Sequence, residues 1–206
     1  MKEILESVIA GDVEKVKSLV KKSLDDGVRP DQIISEGLIK AMDIVGSRMK
    51  SGEMYVPEVL IAAEAMKGGL SLVKPLLGDE SSYAAGRVVI GTVAGDLHDI
   101  GKNLVVMLLE SSGFEVIDLG VDVSTEDFAK ALEEHKPQLV GLSALLTTTM
   151  AAMEETVKAI NEKAPQVKTM IGGAPVSQQF ADEIGAGGYA PDGAAAVDLA
   201  KQLLGA

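Results

Sequence analysis

Apolar residues recur at helical spacing over the first third of the chain. Leu5, Val8 and Ile9 suggest a short helix that ends near Gly11. Val16, Leu19, Val20 and Leu24 line a second, opened by Asp12 as N-cap and closed by Gly27. Ile34, Leu38, Ala41, Met42, Val45 and Met49 form one stripe of a third helix, running from Pro30-Asp31 to Ser51-Gly52. The fourth starts at Pro57, where a missing N–H is harmless. Its residues Val59, Ala63, Met66, Leu70, Val73 and Leu77 alternate steps of four and three, the seam of a bundle helix. Gly68-Gly69 interrupts that seam at about 1 kcal/mol each against alanine, which implies close packing or a bend. The pattern predicts a four-helix bundle over residues 1–77, followed by a polar linker over 78–86.

From Arg87 the period changes. Short apolar runs, Val88–Val93, Glu115–Asp118, Leu139–Ser143 and Thr169–Ile171, with a weak one near Tyr189, read as strands. Between and after them fall helical stretches at about 101–112, 124–134, 149–163, 177–184 and 194–204. Alternating strands and helices imply a parallel sheet covered on both faces. Residues 87–206 are therefore expected to be an α/β domain with a flavodoxin-like (Rossmann-like) five-stranded sheet of order 2-1-3-4-5. In that order ligands sit beyond the carboxyl ends of strands 1 and 3. Three unusual loops fall on that edge: Gly95–Gly101, Ser143–Thr149 and Gly172–Pro175.

Composition removes several kinds of chemistry. The net charge of −12 disfavours nucleic-acid binding, which needs Lys and Arg against phosphate. With no cysteine there is no disulfide, thiolate metal site or cysteine nucleophile. An acidic, amphipathic start and the lack of any apolar run near membrane-spanning length lead us to expect a cytoplasmic protein without a membrane partner.

His98 is one of two histidines, and it lies two residues after Asp96. In an extended segment both side chains point the same way. Asp96 then accepts from one imidazole nitrogen and leaves the other free for a metal. The competing reading is a helix-capping Asp beside a hydrogen-bonded surface His. His135 ends a charged helix and reads as a solvated residue, so zinc, which wants three or four protein ligands, is poorly served. A metal that brings four equatorial nitrogens needs only one. Ser143, Thr147, Thr148 and Thr149 offer hydroxyls to a polar tail, although Thr149 also fits as the cap of the next helix. Gly172-Gly173 suits either close passage of a bulky group or an ordinary turn.

Asp96-Leu97-His98-Asp99-Ile100-Gly101 fits D-x-H-x-x-G, Ser143-Ala144-Leu145 fits S-x-L, and Gly172-Gly173 fits a G-G element. Their order and spacing resemble cobalamin-binding domains that hold the cofactor base-off with histidine on. Met54-Tyr55-Val56-Pro57-Glu58-Val59-Leu60 resembles the start of the helical capping module of methionine synthase. Together these elements resemble the corrinoid proteins of three-component methyltransferase systems.

The resemblance implies cobalamin or a related corrinoid with His98 as axial cobalt ligand, Asp96 bonded to His98, and Thr149 in the place of a family serine. It also implies a site that includes Gly101 and Leu145. A tail channel would be lined by Ser143, Thr147, Gly172, Gly173 and Ala174, with Tyr189 beside it, and Tyr55, Val59 and Met66 would be cap residues. The implied function is a methyl carrier, accepting a methyl group on cobalt(I) from a substrate-specific methyltransferase. It would pass that group to a second methyltransferase with a tetrahydrofolate-type acceptor, and a reductive activase is a further implied partner. The alternatives are the small subunit of an adenosylcobalamin-dependent mutase, a cobalamin-dependent regulator, or a flavodoxin-like or receiver domain. A receiver needs an Asp at the end of strand 3, where Ser143 stands.

Overall fold

The structure, a computed structural model, describes residues 1–76 and 85–205. The chain divides into two units, Met1–Ser82 and Tyr83–Ala206. Among the described residues no helix is long and apolar enough to cross a membrane.

The first unit is helical. It comprises α1 (Lys2–Ile9), α2 (Val13–Asp25), α3 (Pro30–Gln32), a π-helix (Ile33–Ile39), α4 (Lys40–Ser51), α5 (Val56–Val73) and a 3-10 turn (Lys74–Leu76). Asp12 caps α2 by accepting from the Lys15 N–H at 3.0 Å. The expected third helix is continuous, but its middle winds as a π-helix. Wider winding shifts the phase, so Ile33 and Leu38, five apart, are buried while Ile34 is half-buried. In α1 the buried residues are Ile4, Ser7 and Val8 rather than Leu5 and Ile9. The α5 seam holds, with Val59, Ala63, Met66 and Val73 buried. Gly68-Gly69 is a close approach: a Cβ on Gly69 would lie 2.8 Å from Val16 Cγ1, and one on Gly68 2.9 Å from Val13 Cγ1. Leu77 and most of the expected linker, residues 78–84, lie outside the described residues.

The second unit alternates β1 (Gly86–Thr92), α6 (Ile100–Ser111), β2 (Phe114–Asp118), α7 (Thr125–His135) and β3 (Leu139–Ser143). A 3-10 turn (Thr147–Thr149), α8 (Met150–Lys163), β4 (Lys168–Gly172), α9 (Gln178–Ile184) and α10 (Gly193–Leu204) follow. The sheet is parallel, in the order β2-β1-β3-β4. Successive strand residues face opposite layers. Val89, Val140 and Ile171 pack with Phe128 of α7, Val157 of α8 and Ala181 of α9. Val88, Leu139 and Met170 pack with Leu109 of α6 and Ala200 of α10.

The expected fifth strand is reduced to one parallel bridge, Ile171 to Tyr189. Gly187-Gly188 precedes it and Pro191, which has no N–H, follows it; neither sustains a ladder. The sheet is therefore four-stranded rather than five-stranded. Its register places Thr92 beside Ser143 and Ser143 beside Gly172. All three chemically unusual loops thus leave the sheet at one level.

Candidate cofactor site

After Thr92 the β1 strand runs into the loop that carries His98. Asp96, with no exposed surface, sits at its centre. Its Oδ1 accepts from the His98 backbone N–H at 3.1 Å and from ring Nδ1 at 2.7 Å. Its Oδ2 accepts from the N–H groups of Leu145 at 2.7 Å and Leu146 at 3.2 Å. The Thr149 hydroxyl lies 2.9 Å from Oδ2 and equally close to the Leu146 carbonyl. It has one hydrogen to give, and the charged acceptor makes the stronger bond. Burial pushes the Asp96 carboxyl upward. The Leu145 N–H, the His98 ring and N–H, and the Thr149 hydroxyl outweigh burial and hold it well below the ordinary carboxylate range.

An ionised Asp96 assigns the His98 proton to Nδ1. The side chain is 51% exposed, and Nε2 makes no hydrogen bond among the described residues. Thr149 precedes α8 but makes no side-chain cap bond, so its hydroxyl serves Asp96 instead of the helix. Gly173 closes the site from β4. Its φ is +126°, and a Cβ there would lie 1.8 Å from the Ala144 carbonyl oxygen.

Ser143 and Gly172 end their strands half-buried. Leu145, Thr147 and Ala174 are exposed, and Tyr189 is half-buried at the β4 edge. In the first unit Tyr55 is 69% exposed, whereas Val59 and Met66 are buried and present no surface to a ligand. His135 ends α7, its carbonyl accepting from Arg87 Nη1 at 2.7 Å.

Three features escaped the sequence reading. The Thr92 hydroxyl donates to the His98 carbonyl at 3.0 Å. Asp122, at a left-handed φ of 54°, accepts from the Gly95 N–H at 2.7 Å and donates its own N–H to the Asp96 carbonyl at 3.0 Å. Buried Lys102 pairs with Asp118 at the end of β2. A lone threonine closing an apolar strand, and a lysine inside an apolar helix, were the signals available.

The arrangement can do one thing well: present a single oriented imidazole nitrogen. No group of three His, Cys, Asp or Glu able to hold a metal occurs among the described residues, so a metal there must bring most of its own ligands. Around His98 the loops expose Leu97 (70%), Ile100 (87%), Leu145 and Leu146, apolar surface suited to a large flat ligand. A Cβ on Gly101 would meet nothing within 4 Å beyond its own stretch of helix. These residues fit a corrinoid. Fold and site thus define an α/β domain that presents one oriented imidazole nitrogen at the carboxyl edge of its parallel sheet.

Comparison with known proteins gives the family. A family model described as "B12 binding domain" matches residues 86–198, and a second of the same description matches residues 1–74. A corrinoid protein of Desulfitobacterium hafniense is 40% identical over 208 residues, 98% of this chain and 96% of that one. A dimethylamine corrinoid protein of Methanosarcina acetivorans is 40% identical over 204 residues, 98% and 95%. The crystal structure of the methanol:cobalamin methyltransferase complex MtaBC from Methanosarcina barkeri matches with a TM-score of 0.89 and 30% identity, over 98% of this chain and 78% of that one. The chain belongs to the B12-binding corrinoid proteins. Relatives that match over nearly the full length, helical unit included, do not favour the mutase alternative.

Proposed function

We propose that this protein is a methyl carrier that holds its corrinoid base-off, with His98 Nε2 as the axial cobalt ligand. The Asp96–His98 pair carries the reading. A buried carboxylate fixes the tautomer, and the opposite nitrogen is left free on a half-exposed ring. The bound corrinoid would supply the cobalt that takes a methyl group from one enzyme and yields it to another. The chain's own residues bind and orient. Asp96 fixes the tautomer and direction of the imidazole, and Thr149 with the Leu145 and Leu146 N–H groups keeps that carboxylate in place. Ser143, Thr147 and Gly172-Gly173-Ala174 line the channel for the displaced nucleotide tail, with Tyr189 at its side.

Residues 1–77 serve as the capping module, with Tyr55 as its exposed cap residue. The upstream partner is a methyltransferase for a small methylated compound, such as the dimethylamine of the relative's name. The downstream partner carries a tetrahydrofolate-type acceptor, and a reductive activase restores the carrier.

The test is electron paramagnetic resonance of the protein loaded with cob(II)alamin. Axial nitrogen coupling should change from triplet to doublet on nitrogen-15 labelling of histidine, and in labelled His98→Ala the doublet should be lost, leaving at most the triplet of the cofactor's own base. A doublet that persists in labelled His98→Ala, or a triplet unchanged by labelling the wild type, would overturn the reading. Labelled methyl transfer from dimethylamine, with partner enzymes present, then tests the carrier role.

A further inference from the structure

We infer that Thr92 is a positioning residue for the axial histidine, acting on its backbone as Asp96 acts on its ring. The inference rests on the reading of His98 as the cobalt ligand. Thr92 is the last residue of β1 and has no exposed surface. Its backbone is locked on both sides. Its N–H donates to the Gly120 carbonyl at 3.0 Å, and its carbonyl accepts from the Val123 N–H at 2.9 Å. Across the sheet it is paired with Ser143. A β-branched side chain on so fixed a backbone has little rotamer freedom. Its hydroxyl is thus a fixed point of the sheet, and it donates to the His98 carbonyl at 3.0 Å.

The His98 N–H meanwhile donates to Asp96 Oδ1. The peptide groups on either side of His98 are therefore pinned to different anchors: one to Asp96, which the β3 loop holds, and one to β1 itself. Two such points fix the direction in which the Cα–Cβ bond leaves the chain. With one point left, the loop can pivot about Asp96. His98 would then still bond Asp96, but Nε2 would no longer be held at one height above the sheet. A residue that served only the fold would not need its hydroxyl aimed at this carbonyl, since valine fills the same volume in a strand.

The test uses the full-length protein with Thr92→Val, Thr92→Ala and Thr92→Ser, each titrated with cob(II)alamin. Two quantities are read: the dissociation constant, and at saturation the share of the paramagnetic signal that carries histidine nitrogen coupling. A purely structural role would lower thermal stability without changing that share. Val and Ala are expected to weaken binding roughly tenfold, the order set by loss of one buried hydrogen bond, and to lower the histidine-coupled share. Ser, which keeps the hydroxyl, should restore both. Thr92→Val with wild-type affinity and an undiminished share overturns the proposal. If the Val variant does not fold, Ala against Ser decides, and equality of those two overturns it. Identical spectra for wild type and His98→Ala would instead remove the ligand reading, and this proposal with it.

Discussion

Replacing Asp96 with asparagine probes the centre of the site. Five donors converge on its two oxygens: three on Oδ2, two on Oδ1. An amide offers one carbonyl oxygen and one NH2 group. Left at Oδ2, the oxygen keeps the Leu145 and Leu146 N–H groups and the Thr149 hydroxyl. The NH2 then faces two donors at Oδ1. The His98 backbone N–H cannot turn away. The ring can, by moving its proton from Nδ1 to Nε2 and accepting instead. Hydrogen bonds to charged groups are worth about 1.5–3 kcal/mol each, and an orphaned buried donor costs a similar amount.

Part of that is recovered through the tautomer switch and through water at the half-exposed ring, so the net loss should be about 2–4 kcal/mol. That is a large share of the roughly 5–15 kcal/mol that stabilises a domain. Urea unfolding of the unloaded protein measures the loss. Asp25→Asn, on the exposed surface of α2, serves as control and should change stability by about 0.5 kcal/mol or less. Nitrogen-15 spectra in mildly alkaline buffer read the tautomer, with only two imidazoles to assign. A loss below about 1 kcal/mol with the proton still on Nδ1 would refute the argument.

Gly101→Ala should stabilise the unloaded protein by about 0.5–1 kcal/mol, since it reduces unfolded-chain freedom where the added Cβ meets nothing beyond its own stretch of helix. The same change should weaken hydroxocobalamin binding, and unaltered binding would show that the space beyond Gly101 is not the ligand's. Gly173→Ala should cost at least about 3 kcal/mol in thermal or urea unfolding, because its Cβ would overlap the Ala144 carbonyl; a variant as stable as wild type would contradict the loop packing. The folded-state value of Asp96 lies below its unfolded value, so its contribution is complete above the ordinary carboxylate pKa of about 3.9 and fades as pH falls below it. The stability gap between wild type and Asp96→Asn should therefore narrow on acidification, and a gap independent of pH would be inconsistent with an ionised Asp96. Lys102→Met should cost about 1–3 kcal/mol in the same unfolding assay by removing the cation that pairs with partly exposed Asp118, and a variant as stable as wild type would show that the pair does not hold α6 to β2.

The strand–helix alternation and strand order were legible because period and turn chemistry agree from Arg87 onward. The helices expected from about 124 and 177 open on the N-caps Ser124 and Ser177. The failures have local causes. A π-wound stretch breaks the 3.6 period on which the Ile34 stripe was read. Glycines and Pro191 cut the fifth strand to a bridge. At the site, Asp96 and His98 were legible because a two-residue spacing fixes their geometry. The Asp96–Thr149 bond spans 53 residues, and only the family resemblance suggested it. Thr92 and Asp122 act on backbone groups, which every residue possesses, and no pattern of side chains announces such a partner.

The exposed side chains of Leu97, Ile100, Leu145 and Leu146 have a cellular consequence. Without its ligand the protein carries an adhesive rim, and chains made under corrinoid starvation should self-associate and be cleared. A ligand that covers the rim also raises stability by mass action. Vitamin supply would then govern not only how many carriers are active but how many survive.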